Sequence, residues 1–235
     1  MTRQVAVQAC TRRSRRHEDN EDRASVGADV LADATAAQHW TLPVPALVAA
    51  FDGVGGAPHG AVASDLAART LSAAEVPLDE TAATDLLHRA DRLLLDAGEV
   101  DLLRKGMATT AAVLIVPAEE QPAMIVNVGD TLVARLAADG LEELTVSDRI
   151  HGGIFQSLGG HDNPDMRPHV RSVELAPGDR LLLATDGLTD VVAPEVVAQV
   201  LREEREAPTT RLLELVEEAG VPDDVTIMVV DLQER

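Results

Sequence analysis

Two pairs of consecutive helices interrupt a long series of strand-like apolar runs, and this order limits the possible folds more than any other feature of the chain. Ala, Leu and Val recur every three or four residues, with charges on the opposite face, which predicts helices over 60–75, 80–97, 194–205 and 208–219. Apolar runs bounded by Gly, Pro or Asp predict strands at about 4–10, 46–51, 110–117, 123–128, 131–137, 171–176, 180–185 and 225–231. Because strands and helices do not alternate, an antiparallel α+β architecture fits better than a doubly wound parallel sheet.

Local signals add detail to this pattern. Pro194 and Pro208 stand where helices would begin, since the fixed φ of proline suits a first turn. In the run AMIVNVGDTLVARLA, two apolar segments flank Gly129-Asp130. This arrangement predicts a β-hairpin with a tight turn at Gly129-Asp130.

The chain is expected to form one domain over residues 1–235, because no internal repeat, low-complexity tract or Gly/Ser-rich linker divides it. The longest weakly periodic segment, 139–170, is rich in Gly and Asp and is predicted to be flap-like. Long irregular loops in compact domains are often functional, and simple mobility is the alternative.

Composition determines what the core can contain. The chain has one Trp, two Phe and no Tyr, so aliphatic side chains and Ala must do nearly all the packing. A hydrophobic content of 46% is enough for a well-buried core in a chain of this length. Alanine-rich helices packed on Val- and Leu-rich strands would meet this requirement.

The charge balance excludes two classes of partner. Forty acidic residues against twenty basic ones give a formal net charge of −20. A surface of this sign repels nucleic acid and anionic membranes, so neither is expected to bind. Six arginines within the first 23 positions reverse the sign locally.

The cysteine count and the hydropathy pattern indicate a cytoplasmic protein. Cys10 is the single cysteine and cannot form an internal disulfide, and no Cys/His cluster has the spacing of a zinc site. No apolar segment reaches the length of a signal peptide or a membrane span.

Four short acidic motifs lie at or near the ends of predicted strands: NED (Asn20 to Asp22), FDGVGG (Asp52), ATDGLTD (Asp186 and Asp190) and PDDVT (Asp223 and Asp224). Taken singly, each suits an ordinary turn or a solvated charged loop. Together, carboxylates from distant parts of the chain at one sheet edge would repel each other unless cations held them. Because oxygen ligands favour hard ions, the sequence predicts bound Mg²⁺ or Mn²⁺.

The stretch AFDGVGGAPH surrounds one carboxylate with glycines. In the metal interpretation, Asp52 reaches a cation and the Gly53 carbonyl supplies another ligand. The lack of side chains at Gly53, Gly55 and Gly56 would leave space for waters and a phosphate. A Walker loop is excluded because no Lys-Ser/Thr follows the glycines, and a dinucleotide fingerprint is excluded by spacing.

In their order along the chain, these motifs resemble those of the metal-dependent protein serine/threonine phosphatases of type 2C (PPM-type), in their compact bacterial form. The resemblance runs through NED, DGVGG, GMATT, VGDT, LTVSD, SLGG, GDRLLLATDGLTD and PDDVTIMVV and covers nearly the whole chain. It implies an α-β-β-α four-layer sandwich, in which helix pairs flank two antiparallel sheets and a dinuclear metal centre lies at one end. The predicted element order agrees with this architecture.

The resemblance also implies a set of site residues. Asp52 would bridge two Mn²⁺ or Mg²⁺ ions, and the Gly53 carbonyl would bind one of them. The proposed ligands are Asp22, Asp52, Gly53, Asp186 and Asp223, with Glu21 acting directly or through water and Asp224 beside the ions. A hydroxide held between the ions, positioned through Asp52 and Asp186, would then attack phosphorus in line without a phosphoenzyme.

At the position that would hold the substrate phosphate, the chain departs from the family pattern. The family usually has Arg four residues before the Glu of NED, whereas this chain has His17, with Arg15 and Arg16 beside it. Either His17 or Arg16 would then contact the phosphate. A solvated basic loop is the alternative.

Three further departures concern the proton donor and the ions. Val54 stands where animal relatives often carry a His, so the general acid is unassigned among a metal-bound water, His17 and His59. Arg104-Lys105 occupy the place of an Asp that helps to hold a third ion in relatives, which implies an impaired third site. Asp224 replaces the usual Asn and adds negative charge near the ions.

Three functions are weighed on this basis. The first is hydrolysis of phosphoserine and phosphothreonine in proteins, with a Ser/Thr kinase or its substrates as the partner. The second is a catalytically weak phosphoprotein-binding module of the same fold, motivated by His17 and the missing third-ion Asp. The third, a structural cation site without chemistry, ranks last because structural sites rarely draw ligands from four strands around an open, glycine-lined turn.

Overall fold

The computed structural model describes residues 3–54, 59–118, 121–160 and 165–234. Its strands are β1 (Arg3–Arg12), β2 (Arg23–Val26), β3 (Asp29–Leu31), β4 (Ala34–Pro43), β5 (Ala46–Phe51), β6 (Ala108–Thr109), β7 (Ala111–Val116), β8 (Ala123–Val128), β9 (Leu132–Ala137), β10 (Gly140–Glu143), β11 (Arg149–Ile150), β12 (Gly153–Ile154), β13 (Leu158–Gly159), β14 (His169–Val173), β15 (Arg180–Ala184) and β16 (Val225–Glu234). Its α-helices are α1 (Gly60–Ser72), α2 (Glu80–Val100), α3 (Asp186–Thr189), α4 (Pro194–Glu203) and α5 (Pro208–Glu218).

Two six-stranded sheets form the centre of the fold. One has the order β10-β9-β15-β16-β1-β4 and the other β14-β8-β7-β5-β2-β3, and the strand pairs within both are antiparallel. Helices α1 and α2 cover the outer face of the second sheet, and α4 and α5 cover that of the first. The α+β prediction and the α-β-β-α layering are confirmed.

The continuous apolar runs are explained by burial on both faces of each sheet. In β5, Val48 and Ala50 point into the core between the sheets, whereas Leu47 and Phe51 pack against α1 and α2. The same two-residue period divides β7 and β16 between the central core and the outer helix layers. Because both faces of these strands are buried away from water, neither face needs polar residues.

The predicted helices are confirmed, and each begins as its sequence indicates. Pro194 and Pro208 are the first residues of α4 and α5. The Asp79 side chain caps α2 by accepting a hydrogen bond from the Ala82 N–H at 2.8 Å. Among the described residues, none of the helices combines the length and the apolar character needed to cross a lipid bilayer.

The predicted hairpin at Gly129-Asp130 is wrong. β8 pairs with β7 and β14 in one sheet, whereas β9 pairs with β15 and β10 in the other. The residues between them therefore carry the chain across the sandwich. Gly129 has the positive φ of +92° that the turn signal suggested, but a β-carbon there would lie 2.5 Å from the Thr110 side chain, so glycine also serves a close contact.

The flap-like segment 139–170 contains more regular structure than its sequence indicated. Within its described part, β10 extends one sheet and β13 pairs with β6. β11 and β12 form a hairpin whose two loop residues, His151 and Gly152, have φ values of +50° and +82°. Two positive φ values in a two-residue loop are typical of a type I′ turn, which matches the twist of the flanking strands.

Candidate metal centre and active site

A cavity of about 220 Å³ lies at one end of the two sheets, where β5 and β15 end and β2 and β16 begin. The residues that line it are His17, Glu21, Asp52, Gly53, Val54, Asp130, Arg149, Gly152, Gly153, Ile154, Asp186, Asp223 and Asp224. Seven of the residues that the sequence predicted for the site are therefore brought together around one space. Asp22 lies fully buried beside this group, and Arg16 is exposed and outside the lining.

Two threonines of the GMATT motif hold the backbone on both sides of Asp52. The Asp52 N–H donates to Thr110 Oγ1 at 3.0 Å, and the Asp52 carbonyl accepts from Thr109 Oγ1 and from the Thr110 N–H, each at 2.8 Å. Thr110 Oγ1 also lies 2.6 Å from Thr131 Oγ1 of the VGDT motif. These bonds fix the main chain from which the Asp52 carboxylate extends.

Gly53 is required by a close approach of backbone rather than by a turn conformation. A β-carbon at position 53 would lie 2.5 Å from the carbonyl carbon of Gly60, at the start of α1. Gly60 is restricted in turn, because its β-carbon would come within 3.0 Å of the Glu21 carboxylate. The space predicted around Gly55 and Gly56 falls outside the described residues.

The second Asp-Gly pair has the same physical basis. A β-carbon on Gly187 would lie 1.9 Å from the carbonyl oxygen of Asp224, so the backbones of α3 and of the PDDVT motif meet at this point. Neither Gly53 nor Gly187 has a positive φ. Gly53 forms an isolated β-bridge with Thr109 and Gly187 lies within α3, so neither glycine lies in a turn, and both instead allow a close approach of backbone.

Asp22 carries a buried oxygen that lacks a partner among the described residues. Its Oδ2 accepts a hydrogen bond from Thr185 Oγ1 at 2.8 Å, whereas its Oδ1 is buried without a hydrogen bond. An unpaired carboxylate oxygen away from water is costly unless a cation or a proton compensates for it. A divalent cation bound beside Asp22 would compensate for this unpaired oxygen.

The carboxylates of this group hold their protons more strongly than usual in the ion-free state. Burial raises the pKa of Asp22 and of Asp52 well above the ordinary value, and the neighbouring carboxylates add to the effect. Burial, followed by the charges of Asp130 and Asp223, raises the pKa of Asp186 to about 6. A cluster of buried acids with raised pKa values is typical of a site that binds cations.

The described residues include one group of three potential ligands whose coordinating atoms lie within 4.8 Å of one another, and it consists of His17, Asp223 and Asp224. Asp223 is half exposed, whereas Asp224 is buried. The oxygen donors around the cavity, the orphaned Asp22 oxygen and the raised pKa values fit hard divalent ions. The residues present are thus compatible with the predicted pair of ions.

Asp224 connects the N-terminal loop to the start of β16. Its Oδ1 accepts from the Ser14 N–H and its Oδ2 from the Glu21 N–H, both at 2.6 Å. The same Oδ2 lies 3.0 Å from His17 Nδ1. Partial burial lowers the pKa of His17, but the hydrogen bond and charge of Asp224 outweigh this effect, so the net shift is upward.

Four other residues weighed in the sequence analysis do not line the cavity: Arg16, His59, Arg104 and Lys105. Arg16 is exposed, and its backbone N–H donates to Ser14 Oγ at 3.2 Å. His59 is exposed at the start of α1 and does not line the cavity. Arg104 pairs with Asp101 at 3.3 Å, and neither Arg104 nor Lys105 lines the cavity.

The sequence analysis missed two charged residues of the cavity, Asp130 and Arg149. Asp130 was assigned to a hairpin turn, and Arg149 lay in a segment without a clear period. Arg149 is within 4 Å of the carboxylates of Asp130, Asp186 and Asp190. The His151-Gly152 pair between Ile150 and Ile154 was the available signal for the hairpin that carries this arginine.

Comparison with known proteins decides the family. Residues 46–233 match the model of the family described as Stage II sporulation protein E (SpoIIE), which covers most of the chain. The chain belongs to this family. It is thereby a member of the PPM-type phosphatases, as the motifs had indicated.

Curated PPM-type relatives include enzymes from two bacteria. The chain is 28% identical over 214 residues to the serine/threonine protein phosphatase PstP of Mycobacterium tuberculosis, a match over 79% of this chain and 40% of that protein. It is 24% identical over 213 residues to the protein phosphatase PhpP of Streptococcus pneumoniae, over 78% of this chain and 85% of that protein. The match therefore spans less than half the length of PstP.

Solved structures of PPM-type phosphatases share the fold over the whole chain. The catalytic domain of PstP, crystallised in complex with two manganese ions, is 27% identical and superposes with a TM-score of 0.78, covering 99% of this chain and 100% of that one. A Streptococcus agalactiae serine/threonine phosphatase, 21% identical, gives a TM-score of 0.80 over 98% of this chain and 100% of that one. The second comparison supports the fold only.

Proposed function

We propose that this chain hydrolyses phosphoserine and phosphothreonine in proteins, in a reaction that depends on two Mn²⁺ or Mg²⁺ ions. The observation that carries the proposal is the convergence of Asp52, Asp186 and Asp223 on one cavity, with the orphaned oxygen of Asp22 buried beside it. Membership of the PPM-type family and the likeness to the PstP catalytic domain support the same activity.

The chain's own residues have distinct parts in this proposal. Asp22, Asp52, the Gly53 carbonyl, Asp186 and Asp223 would hold the ions, and Glu21 and Asp224 would support them from the sides. When bound, such ions lower the pKa of a water between them and neutralise charge on the phosphoryl oxygens. The threonines that fix the Asp52 backbone keep this carboxylate in place as charge changes around it.

His17 is proposed to contact the phosphate from the rim of the cavity. Asp224 holds the ring through Nδ1, which leaves Nε2 as the atom available for a bond to substrate. A histidine with a raised pKa is a good donor to a phosphate oxygen. Arg16 does not line the cavity, so it could contact the phosphate only if the loop that carries it changed conformation.

The partners and the location belong to the same proposal. Phosphorylated proteins are the substrates, and a Ser/Thr kinase or its targets are the counterparts, because the curated relatives are named as protein phosphatases and PstP as serine/threonine-specific. We place the protein in the cytoplasm, where the free, buried thiol of Cys10 is compatible with reducing conditions. One domain over residues 1–235 remains our interpretation of the chain.

The test is hydrolysis of p-nitrophenyl phosphate and of a phosphothreonine peptide by the full chain with Mn²⁺. We expect turnover that EDTA abolishes and added Mn²⁺ restores. Asp52→Asn should lower kcat by at least roughly a hundredfold, since a carboxylate that would hold the ions is lost. Asp79→Asn is the matched control. It makes the same chemical change far from the cavity, at a position where Asn can still cap α2, and should retain full activity.

The same preparation separates the alternatives. Calorimetry of Mn²⁺ binding shows whether ions enter even if turnover is absent. Bound Mn²⁺ and bound phosphopeptide without any hydrolysis would replace the enzyme with a phosphoprotein-binding module. Bound Mn²⁺ with neither hydrolysis nor phosphopeptide binding would leave only a structural cation site.

A further inference from the structure

Arg149 is, among the described residues, the only arginine that lines the cavity. Its Nη1 lies 3.0 Å from Asp190 Oδ2, its Nη2 lies 3.5 Å from Asp186 Oδ2, and its Nε lies 3.6 Å from Asp130 Oδ2. The three carboxylates come from the crossover after β8, the start of α3 and the end of α3. The contact with Asp190 is a hydrogen bond, which Nη1 donates to Oδ1 at 3.1 Å, whereas those with Asp186 and Asp130 are longer ion pairs.

A second arginine of this chain shows the contrasting arrangement. Arg180 binds Asp231 through Nε and Nη2, at 2.7 and 2.8 Å, and its remaining donors reach carbonyl oxygens at the end of α4. Two parallel bonds to one carboxylate give the strongest and most specific pairing that arginine makes. Arg149 instead uses Nη1 for Asp190, and its Nε and Nη2 have only longer ion-pair contacts, so this pair of nitrogens can still bind one bidentate anion.

The backbone that carries Arg149 is firmly placed. The adjacent Asp148 is buried, and its carboxylate accepts from the Gly129 N–H at 2.9 Å and from Gln156 Nε2 at 3.0 Å. The hairpin of β11 and β12 then folds back over the cavity through the turn at His151-Gly152. Gly152 and Gly153 of that hairpin line the cavity and add no side chain to its wall.

Charge balance assigns the partner. A divalent ion bound to Asp186 would offset the negative charge of this carboxylate, so the attraction between Asp186 and Arg149 would weaken. The Arg149 nitrogen that faces Asp186 would then gain more from a second anion in the cavity. The acceptor that suits a planar guanidinium beside such ions is a phosphate dianion, with two oxygens in one plane.

We propose that Arg149 binds the substrate phosphate alongside His17, and so supplies the guanidinium that the family pattern places at position 17. This inference rests on the proposed function. It also explains how the site can tolerate His17, whose Nδ1 is already engaged by Asp224.

The test measures binding of inorganic phosphate to the Mg²⁺-loaded full chain by isothermal titration calorimetry, and separately the affinity for Mg²⁺. Arg149→Ala should weaken the binding of phosphate at least roughly tenfold, the range for hydrogen bonds to a charged group. The affinity for Mg²⁺ should be unchanged or higher. Arg149→Lys should fall between the two, since Lys keeps the charge and loses the fork. Arg171→Ala, which removes an arginine paired with Glu142 outside the cavity, is the matched control and should leave phosphate affinity unchanged.

Asp190→Asn distinguishes phosphate binding from a tether for the hairpin, because it removes the closest carboxylate and keeps the guanidinium. We expect phosphate affinity to be retained in this variant. Equal phosphate affinity in Arg149→Ala and wild type, or an equal loss in Asp190→Asn and Arg149→Ala, would overturn the proposal. Either result can occur in a wild-type protein that hydrolyses p-nitrophenyl phosphate, so it is distinct from failure of the proposed function.

Discussion

His17 Nδ1 lies 3.0 Å from Asp224 Oδ2, so two positions at which this chain departs from the PPM-type pattern are in direct contact. The sequence presented them as separate substitutions, 207 residues apart. In the structure they form one unit, in which a buried carboxylate orients an imidazole at the cavity rim. An arginine at position 17 and an asparagine at position 224 would not make the same bond.

Asp224→Asn should destabilise the protein by about 1–3 kcal/mol, the range for leaving a buried donor without its acceptor. The Asp224 carboxylate accepts from two backbone N–H groups, and an amide can replace only one of its two oxygens as an acceptor. Urea unfolding of Asp224→Asn, His17→Ala and the double variant measures the coupling, which we expect to be at least about 0.5 kcal/mol. Additive effects of the two substitutions would show that the 3.0 Å contact has no energetic weight.

Gly187→Ala should destabilise the protein by at least about 2 kcal/mol, because the new β-carbon would collide with backbone that cannot move without displacing β16. The nearest atom, the carbonyl oxygen of Asp224, would be only 1.9 Å away. Gly153→Ala is the control, since the nearest neighbour of a β-carbon there, the Ile150 carbonyl oxygen, would be 3.8 Å away. Thermal unfolding should show a clear loss for position 187 and a change within about 0.5 kcal/mol for position 153.

Thr110→Val should weaken binding of Mn²⁺ and lower stability by about 1–3 kcal/mol. The substitution removes the acceptor of the Asp52 N–H and the partner of Thr131 Oγ1 while preserving the shape of the side chain. Thr110→Ser keeps the hydroxyl and is expected to behave like wild type in both measurements. Calorimetric Mn²⁺ affinities that are equal for the valine and serine variants would contradict a positioning role for Thr110.

In EDTA, stability should fall as the pH rises through the range set by Asp186. Its pKa is about 6 in the folded state against an ordinary value of 3.8, so its contribution is fully present below 3.8 and is lost as the pH rises past 6. The shift corresponds to about 3 kcal/mol. Asp186→Asn removes this titration and should therefore stabilise the ion-free protein at pH 7.5 but not at pH 4.

Chemical denaturation of both proteins at the two pH values checks this sign. A difference between wild type and Asp186→Asn that does not depend on pH would contradict the raised pKa. Saturating Mn²⁺ provides the internal control, because it should raise the stability of the wild type at pH 7.5 more than that of the variant, which lacks one of the proposed carboxylate ligands.

Much of the layered fold could be predicted from the sequence, because buried segments have apolar residues in recognisable local patterns. The runs 46–51 and 123–128 coincide with β5 and β8, and α4 and α5 begin at the prolines that indicated them. The sequence was weaker where burial is slight. β4 was missed because most of its residues are exposed or only partly buried, so its run lacks an apolar period.

The sequence by itself determined which segments are buried, where the main helices start, and which acidic side chains follow strand ends. It could not determine which sheet a strand joins, because β8 and β9 have apolar residues that suit either sheet and only long-range pairing separates them. The tertiary structure alone decided that His17 meets Asp224 and that Arg149 reaches the cavity. Both contacts depend on how distant backbones pack, as at Gly187, which meets the backbone of Asp224, and no local pattern of residues encodes such a distance.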